Sequence, residues 1–561
     1  MSKKRIAIYQ VLVRLFGNTT KQPVFNGSIA ENGCGKMNDF TAKALNEVRK
    51  MGFTHIWYTG LLEHATQTNY EVFGIRPDHP AVVKGRAGSP YAVKDYYDID
   101  PDLACDVEKR MNEFESLVER THSADLKIIM DFIPNHVARA YYSDAKPDGV
   151  VDLGETDHTE WAFSPLNNFY YCQNQLFNPT FDINGYVEFP AKVTGNDCFS
   201  ANPNTNDWYE TVKLNYGVHY LHGAEKHFTP IPNTWYKMYE MLRFWAAKNV
   251  DGFRCDMAEM VPVEFWNWVI SKLKAEFPEL IFIAEVYNPM LYRAYIYEGK
   301  FDYLYDKVGL YDKLRHILTS NHSASDITQC WQATSDIANH MLNFLENHDE
   351  QRIASDFFCG KAHLAFPAVV AMCTLWNNPI MMYAGQELGE SGMDSEGFSG
   401  CDGRTTIFDY WPVKSLQNWY NEGKFTLAQL TAEQKTIRNF YLKVLRLATA
   451  ENSIVHGKFY DLQYANFDNR SFDTHKQYAF LRYFENEFIL VVINFDNAAK
   501  VVRVNIPSEA FDFLQLPSVN GIGAKDILNT QEPELIFNLQ ANSSIQIAVF
   551  ANNARMIKFT V

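Results

Sequence analysis

The chain has 561 residues, 47% hydrophobic and 21% charged, a composition typical of a globular protein of two to four domains rather than of a disordered, collagen-like or membrane-spanning chain. Its formal net charge of −16 argues against nucleic acid and anionic membranes as partners, because both require a basic surface. The nine cysteines include no CxxC pair, which favours free thiols in a reducing compartment.

The amino-terminal stretch predicts a first strand rather than an export signal. Residues 1–5 are basic, and the apolar run that follows is interrupted by Gln10 and Arg14, so the long apolar core and the cleavage site of a signal peptide are missing. No uninterrupted apolar run reaches the roughly 18 residues of a membrane span. We therefore expect a cytoplasmic protein, while a mature secreted form would give the same pattern.

Strand-like and helix-like stretches alternate from residue 6 to about residue 450. The predicted strands are short apolar runs at 5–13, 54–60, 127–132, 251–256, 280–286, 301–305, 341–346 and 379–384. The predicted helices are at 40–51, 108–124, 233–249, 262–277, 290–298, 309–319, 363–376 and 432–450. Eight such βα units predict an α/β fold, the (β/α)₈ TIM barrel, with its functional site on the loops at the carboxyl ends of the strands.

Two regions do not fit this alternation. About 90 residues separate the third predicted strand from the third helix, too many for a structureless loop, so we expect a small inserted domain at 137–225. After about residue 450 the pattern changes to that of antiparallel strands, with a hairpin predicted over 478–495. The expected organisation is a barrel formed by 1–136 and 226–450, the inserted domain after strand three, and a C-terminal antiparallel β-sandwich at 451–561.

Acidic residues stand at the ends of four predicted strands. Asp131, Asp256 and Glu285 each follow a short apolar run, and Asp349 follows a fourth run together with His348. Polar residues just past the carboxyl ends of barrel strands point into the mouth of the barrel, so these side chains should converge on one pocket. Clustered carboxylates shift one another's pKa, and a chain rarely gathers them without a chemical use. Glycoside hydrolysis is one such use, because it needs a carboxylate nucleophile and a carboxylic acid as proton donor.

Four segments resemble, in order, the four signature regions of the α-amylase family of glycoside hydrolases. They are residues 131–136 (DFIPNH), 252–256 (GFRCD), 284–286 (AEV) and 346–349 (ENHD). The resemblance covers nearly the whole chain, including an insert after the third strand and a β-domain after the barrel. It implies that Asp256 is the nucleophile, Glu285 the general acid/base, and Asp349 a third carboxylate that holds sugar hydroxyl groups.

The residues around the first two carboxylates suit these roles. Arg254 lies two positions before Asp256 and on the same strand face, and a neighbouring guanidinium keeps a carboxylate ionised, as a nucleophile requires. Arg254 is also an expected substrate-binding residue. Glu285 follows an apolar run, a setting that favours the protonated acid. A separation of about 5–5.5 Å between the two carboxyl groups would give a covalent intermediate and retention of configuration.

The resemblance also implies a set of substrate-binding side chains. Tyr91 resembles the tyrosine on which the family stacks a sugar ring, where an aromatic face stabilises developing positive charge. His136 and His348 would donate hydrogen bonds to hydroxyl groups of that sugar. For Tyr91 and His136, ordinary packing is the alternative. Asp131 has two interpretations as well, a site residue or an organiser of the loop around His136.

Several positions depart from the family pattern or border it. Many α-amylases carry Lys-His shortly after the nucleophile; here the positions are Glu259 and Met260, which puts the usual leaving-group contacts in doubt. In the insert, Lys213 stands where an Asp often binds structural calcium, and its ammonium group is expected to replace the ion's charge and to pair with Asn135. We therefore expect no calcium at that site and no required cofactor. Trp411 is either a stacking platform above the cleft or a packing residue.

The leading prediction is a retaining enzyme that cleaves α-1,4-glucosidic bonds of maltodextrin, starch or glycogen. The same covalent intermediate would serve a transglycosylase of the glucanotransferase or sucrose- or trehalose-active type, and an exo-acting α-glucosidase is a further alternative. A non-catalytic binding subunit of the same fold would be expected to have lost carboxylates. A metal-dependent barrel hydrolase would need several histidines at ligand spacing. The oligomeric state stays open between monomer and homo-oligomer.

Overall fold

The computed structural model describes residues 5–560, and its central element is a closed barrel of eight parallel strands. In chain order the strands are β1 (Ala7–Leu12), β2 (His55–Thr59), β3 (Lys127–Phe132), β4 (Gly252–Cys255), β5 (Ile281–Ala284), β6 (Tyr303–Tyr305), β7 (Met341–Leu342) and β8 (Ile380–Tyr383). Consecutive strands pair with one another, and β1 also pairs with β8, Ala7 lying opposite Ile380. A parallel bridge between Asn343 and Ile380 closes the ring. The predicted barrel is confirmed.

A helix follows each barrel strand, as the alternating pattern predicts. The helices are α1 (Ala42–Lys50), α2 (Arg110–Ser123), α3 (Asn233–Ala246), α4 (Val263–Glu276), α5 (Tyr292–Tyr297), α6 (Asp312–Thr319), α7 (Phe366–Thr374) and α8 (Ala432–Ala450). In α3, Met238, Met241, Leu242 and Trp245 are buried, so one face of the helix packs on the barrel. Shorter helices outside this set are Ile29–Asn32, Asp326–Ala333, Lys414–Tyr420, Asn452–Val455 and Ser508–Leu514.

The loop after β2 and the insert between β3 and α3 are built from short antiparallel strand pairs. The pairs are Leu62–His64 with Val93–Ile99, His136–Ala138 with Thr211–Lys213, Tyr171–Cys172 with Ala191–Lys192, and Val218–His219 with Glu225–Lys226. Buried side chains of the insert, among them Tyr170, Phe177 and Val193, form a small core of their own. Such a core explains why this long segment keeps a fixed shape beside the barrel.

The C-terminal region is an antiparallel β-sandwich, as predicted. Its strands are β9 (Lys458–Asp461), β10 (Gln477–Phe484), β11 (Glu487–Asn494), β12 (Lys500–Ile506), β13 (Val519–Asp526), β14 (Leu535–Leu539), β15 (Ser543–Val549) and β16 (Asn553–Thr560). One sheet has the order β9-β10-β11-β16-β13-β14, and the other contains β12 and β15. Strand β11 packs on both of its faces: Leu490 belongs to the core between the sheets, while Val491 belongs to the core shared with the barrel.

The structure bears on the expectations about membrane spans, cysteine chemistry and the amino terminus. Among residues 5–560, no helix combines the length and the hydrophobicity needed to cross a membrane. All nine cysteines are free thiols, as predicted. Residues 1–4, on which part of the signal-peptide prediction rests, lie outside the described residues.

Candidate active site

A cavity of about 280 Å³ lies at the carboxyl ends of the barrel strands. Its wall contains Asp256, Glu285 and Asp349, which follow β4, β5 and β7, together with Tyr91 and His136. The fold therefore brings five of the predicted site residues to one place. A second cavity, of about 800 Å³, lies beside α3 and is lined mostly by apolar side chains, so it offers no comparable cluster of carboxylates.

Arg254 on β4 is fully buried and links the carboxylates beneath the cavity. Its Nη1 lies 2.7 Å from Asp256 Oδ1, and its Nη2 lies 2.8 Å from Glu285 Oε2. The Asp131 carboxylate is 3.6 Å from Nη1, and Nε donates to the Tyr305 hydroxyl at 3.0 Å. One guanidinium faces several carboxylates, and a single positive charge cannot stabilise all of them in the ionised form.

The surroundings raise the pKa of three of these carboxyl groups. Burial raises the pKa of Glu285, an effect that the Arg254 cation opposes and the Asp256 charge reinforces. Burial likewise raises the pKa of Asp131 to about 7, against the opposing effect of Arg254. For Asp349, loss of bulk water and then the negative charge of Glu285 raise the pKa well above its usual range, although 40% of this side chain is exposed at the cavity. Glu285 is thus suited to hold a proton beside Asp256.

Two hydrogen bonds orient Glu285. The backbone N–H of Met257 donates to Oε2 at 2.8 Å, and the Tyr287 hydroxyl donates to Oε1. Glu259 accepts from the backbone N–H groups of Tyr287 and Asn288 at 3.1 and 3.0 Å. Glu259, a possible site residue from the sequence, does not lie on the cavity wall. It anchors the loop that carries Tyr287.

The two histidines occupy different positions. His136 lies on the cavity wall beside Trp208, with ring centroids 5.2 Å apart, and burial lowers its pKa to about 3. His348 lies behind the wall, stacked on Tyr91 at 5.0 Å, with Nδ1 2.7 Å from Gln10 Nε2 and Nε2 3.1 Å from Asp349 Oδ2. Burial also lowers the pKa of His348 well below its usual range, so both rings are neutral at neutral pH.

Asp131 supports the cavity from behind rather than lining it. It accepts a hydrogen bond from Trp57 Nε1 at 2.9 Å and from the Tyr91 hydroxyl at 3.5 Å, and it lies beside Arg254. These contacts fix the Tyr91 ring and the guanidinium relative to each other. Asp131 thus organises Tyr91 and Arg254 behind the cavity, whereas the organising role expected from the sequence concerned the loop around His136.

Lys213 and Trp411 are both buried. Lys213 Nζ donates to Asn135 Oδ1 at 2.9 Å and pairs with Asp197 Oδ1 at 2.5 Å. The Lys213 ammonium group takes the Asn135 oxygen that a calcium ion at this position would need, so the residues present here do not fit that ion. Trp411 packs into the barrel core, donates from Nε1 to Asp394 Oδ2 at 2.9 Å, and does not lie on the cavity wall.

Several wall residues have no counterpart among the sequence predictions. Lys84, from the loop after β2, pairs with Glu210 of the insert at 2.9 Å, and the backbone N–H of Ala87 donates to the Phe408 carbonyl at 3.0 Å. Lys84, Glu210 and Phe408 all line the cavity. Three separate loops therefore meet around it. Trp208 also lines the cavity, and its signal in the sequence was its place in an insert rich in Tyr, Phe and Trp.

The arrangement can perform a displacement assisted by proton transfer. A carboxylate that is paired with a fixed guanidinium can attack an electrophilic carbon, and a neighbouring carboxyl group that retains its proton can protonate the leaving oxygen. On the same wall, neutral His136 offers a hydrogen bond, and the rings of Tyr91 and Trp208 offer an apolar face, to a polyhydroxylated ring.

Comparisons with known proteins point to one family. The family model described as "Alpha amylase, catalytic domain" matches residues 10–443. Alpha-amylase 3 of Dictyoglomus thermophilum is 24% identical over 480 residues, which cover 81% of this chain and 83% of that protein. Neopullulanase 2 of Thermoactinomyces vulgaris is 22% identical over 427 residues, covering 74% and 59%. The solved structure of a noncanonic maltogenic alpha-amylase, AmyB from Thermotoga neapolitana, matches over 100% of both chains with a TM-score of 0.63 and 20% identity.

Proposed function

The chain belongs to the α-amylase family of glycoside hydrolases, and from that membership we propose that it hydrolyses α-1,4-glucosidic bonds of maltodextrin, starch or glycogen by double displacement. The observation that carries the proposal is that Asp256 and Glu285, both on the wall of one cavity, pair with the same Arg254 guanidinium beneath it, at 2.7 and 2.8 Å. An α-glucan or maltooligosaccharide is the proposed substrate, and the proposal includes no required cofactor.

In the first step Asp256 attacks the anomeric carbon while Glu285 transfers its proton to the glycosidic oxygen. The bond to that oxygen breaks, the shortened glucan leaves with a free hydroxyl group, and a glycosyl ester forms on Asp256. In the second step Glu285, now ionised, takes a proton from water, and the resulting hydroxide equivalent displaces Asp256. Two inversions give net retention of configuration. The raised pKa of Glu285 supports its protonated state before the first step.

The other wall residues bind and orient the sugar in this proposal. The Tyr91 ring would face the oxocarbenium-like transition state, and its hydroxyl contact with Asp131 keeps the ring in place. Asp349 would accept hydrogen bonds from sugar hydroxyl groups, and His136, neutral at neutral pH, would donate one. His348 acts through Asp349 and Tyr91, both of which it contacts.

Product analysis with maltoheptaose tests the proposal. Short maltooligosaccharides whose new reducing ends first appear as the α-anomer in proton NMR are the expected result. Products longer than the substrate would instead establish a transglycosylase, and glucose alone an exo-acting α-glucosidase. Release of the β-anomer would contradict double displacement, and no reaction with maltoheptaose, starch, sucrose or trehalose would contradict catalysis on α-glucosides altogether.

Tyr287→Phe should move the alkaline limb of the pH–rate profile to higher pH. The Tyr287 hydroxyl stabilises the ionised form of Glu285, so its loss raises the pKa of that acid, and a general acid stays active until pH exceeds its pKa. One hydrogen bond of about 1 kcal/mol corresponds to a shift of roughly 0.5–1 pH unit. The measurement is kcat/KM against pH. Tyr236→Phe, on the exposed surface, serves as the matched control, and an unmoved or lowered limb would contradict the prediction.

We also propose that Lys213 holds by its own charge the position that a calcium ion takes in relatives. Lys213→Met should lower the melting temperature by a few degrees, because it leaves the buried Asn135 Oδ1 without its donor, at a cost of about 1–3 kcal/mol. Thermal melts in chelator measure this. Lys300→Met, at an exposed position, is the control. Equal melting temperatures for the wild type and both variants would show that Lys213 does not contribute to stability.

A further inference from the structure

A second group of carboxylates lies in the loop after β2, outside the cavity wall. Glu63 belongs to the strand Leu62–His64, and Asp95 and Asp98 belong to the strand Val93–Ile99 that pairs with it. One carboxylate oxygen of each lies within 4.8 Å of the others. All three side chains are buried. Buried carboxylates need a partner of opposite charge, and three at this distance need more than one.

Glu63 lacks the partner that its burial demands. It is 1% exposed, and neither of its carboxylate oxygens has a hydrogen-bond partner among the described residues. Lys94 Nζ is 3.8 Å from Glu63 Oε1, beyond hydrogen-bond distance. That ammonium group contacts the Arg76 carbonyl and lies 3.3 Å from Asp78 Oδ2. Both carboxylate oxygens of Glu63 therefore lack a hydrogen-bond donor among the described residues, and one of them lies within 4.8 Å of an oxygen of Asp95 and of Asp98.

The other two carboxylates are held in fixed positions. Asp95 accepts from the Ser143 hydroxyl at 2.6 Å and from the backbone N–H of Ala145 at 2.9 Å. Arg110 donates to both oxygens of Asp98, from Nε at 2.9 Å to each and from Nη2 to Oδ2 at 2.5 Å, so Asp98 shares its oxygens between this guanidinium and any ion. These contacts come from the start of the insert and from α2, so two separate segments fix the carboxylates beside Glu63. A set of oxygens held in this way is prepared for a ligand before the ligand binds.

The charge of the group is not balanced by the protein. Four carboxylates, these three and Asp78, face the two cations Lys94 and Arg110. If all were ionised, two negative charges would remain in a buried place. The group must therefore take up either a proton or a cation.

We propose that Glu63, Asp95 and Asp98 form a binding site for a divalent cation of the calcium type, separate from the position of Lys213. The donor atoms are oxygens alone, which suits hard cations such as Ca²⁺ and Mg²⁺. The three oxygens lie within 4.8 Å of one another, a limit that fits either ion. Mg²⁺ retains several waters and needs near-ideal octahedral geometry, so a buried set of protein carboxylates favours Ca²⁺.

A cation here would stabilise the part of the chain that presents Tyr91 to the cavity. Tyr91 lies just before the strand Val93–Ile99, and Asp95 on that strand is bonded to the start of the insert through Ser143. The ion would add a bond between Glu63 and this junction. The proposal is structural and does not depend on which reaction the cavity performs.

Calcium titration of the full-length, chelator-treated protein tests the site. We expect isothermal titration calorimetry to give one Ca²⁺ per chain with weaker binding of Mg²⁺, and the melting temperature to rise as Ca²⁺ is added. Tb³⁺ added to the wild-type protein should show emission sensitised by the neighbouring Tyr97 and displaced by Ca²⁺. If the wild-type protein shows neither calcium binding nor a calcium-dependent melt, Glu63 carries a proton instead and the proposal is wrong.

Glu63→Gln locates the ion, because glutamine has the shape of a protonated glutamic acid. We expect this variant to lose the calcium binding and the calcium-dependent rise in melting temperature. Glu119→Gln, exposed on α2, is the matched control and should keep both. If Glu63→Gln binds Ca²⁺ with unchanged affinity, the ion lies elsewhere. Should the variant fail to fold, displacement of Tb³⁺ from the wild-type protein by Ca²⁺ decides the existence of the site.

Discussion

Asp256→Asn should lower kcat on maltooligosaccharides by roughly 10⁴–10⁶-fold, the range seen when a covalent nucleophile is removed. The amide oxygen is a poor nucleophile and cannot form the glycosyl ester. It can still accept the hydrogen bond that Arg254 donates at 2.7 Å, so the wall of the cavity should keep its shape. Initial rates with maltoheptaose measure the loss, and calorimetric binding of maltotriose measures whether the site survives.

The control for this variant is Asp336→Asn. Asp336 is an exposed aspartate that pairs with Arg293 at 2.7 Å, outside the cavity wall. It undergoes the same chemical change and should leave kcat unchanged. Turnover close to wild type in Asp256→Asn would exclude Asp256 as the nucleophile. Loss of both turnover and maltotriose binding, with a lowered melting temperature, would indicate a folding defect and call for the Asp256→Glu variant.

Glu285→Gln should slow the cleavage of maltooligosaccharides by about 10²–10⁴-fold, the usual contribution of general acid catalysis. Formation of the glycosyl-enzyme from a 4-nitrophenyl α-maltoside should fall far less, because nitrophenolate leaves without protonation. The variant keeps a side chain of the same shape between Met257 and Tyr287. Pre-steady-state release of nitrophenol separates this first step from the hydrolysis that follows.

Azide provides the second half of this test. An anionic nucleophile needs no general base, so azide should restore turnover of the nitrophenyl substrate by Glu285→Gln and give the α-glycosyl azide. Glu276→Gln, an exposed glutamate that pairs with Arg243, should behave as wild type and show no azide effect. An equal loss on both substrates, or a β-configured azide, would overturn the assignment of Glu285 or of the retaining pathway.

The barrel was predictable because its strands and helices differ in hydrophobic period. The positions at which individual strands end were harder to predict. The apolar run at 341–346 predicts a six-residue strand, whereas β7 contains Met341–Leu342 and then only a bridge at Asn343. Phe344 and Leu345 are buried although they lie outside the ladder. A buried loop and a buried strand have the same apolar pattern, so the sequence alone does not distinguish them.

The site was predictable where its chemistry is local. Asp256 and Arg254 lie two positions apart, so their contact follows from strand geometry alone. The hydroxyl of Tyr305, which accepts from Arg254, and Gln10, which contacts His348, lie on other strands. No pattern in the neighbouring sequence identifies Tyr305 or Gln10 as a site residue, because only the closed ring of strands brings them to these partners. The pairing of Lys84 with Glu210 is long-range in the same way.

The closure of the barrel has a consequence for the synthesis of this protein. One edge of β1 pairs with β2. Its other edge pairs with β8, where Ala7 lies opposite Ile380, and has no partner until β8 has been synthesised. At about 5–20 residues per second, a ribosome needs roughly 20–75 s to make the chain between them. Throughout that time an apolar strand edge remains open to pairing with other nascent chains. The yield of folded protein in a cell should therefore depend on chaperone supply and on how crowded the translating ribosomes are.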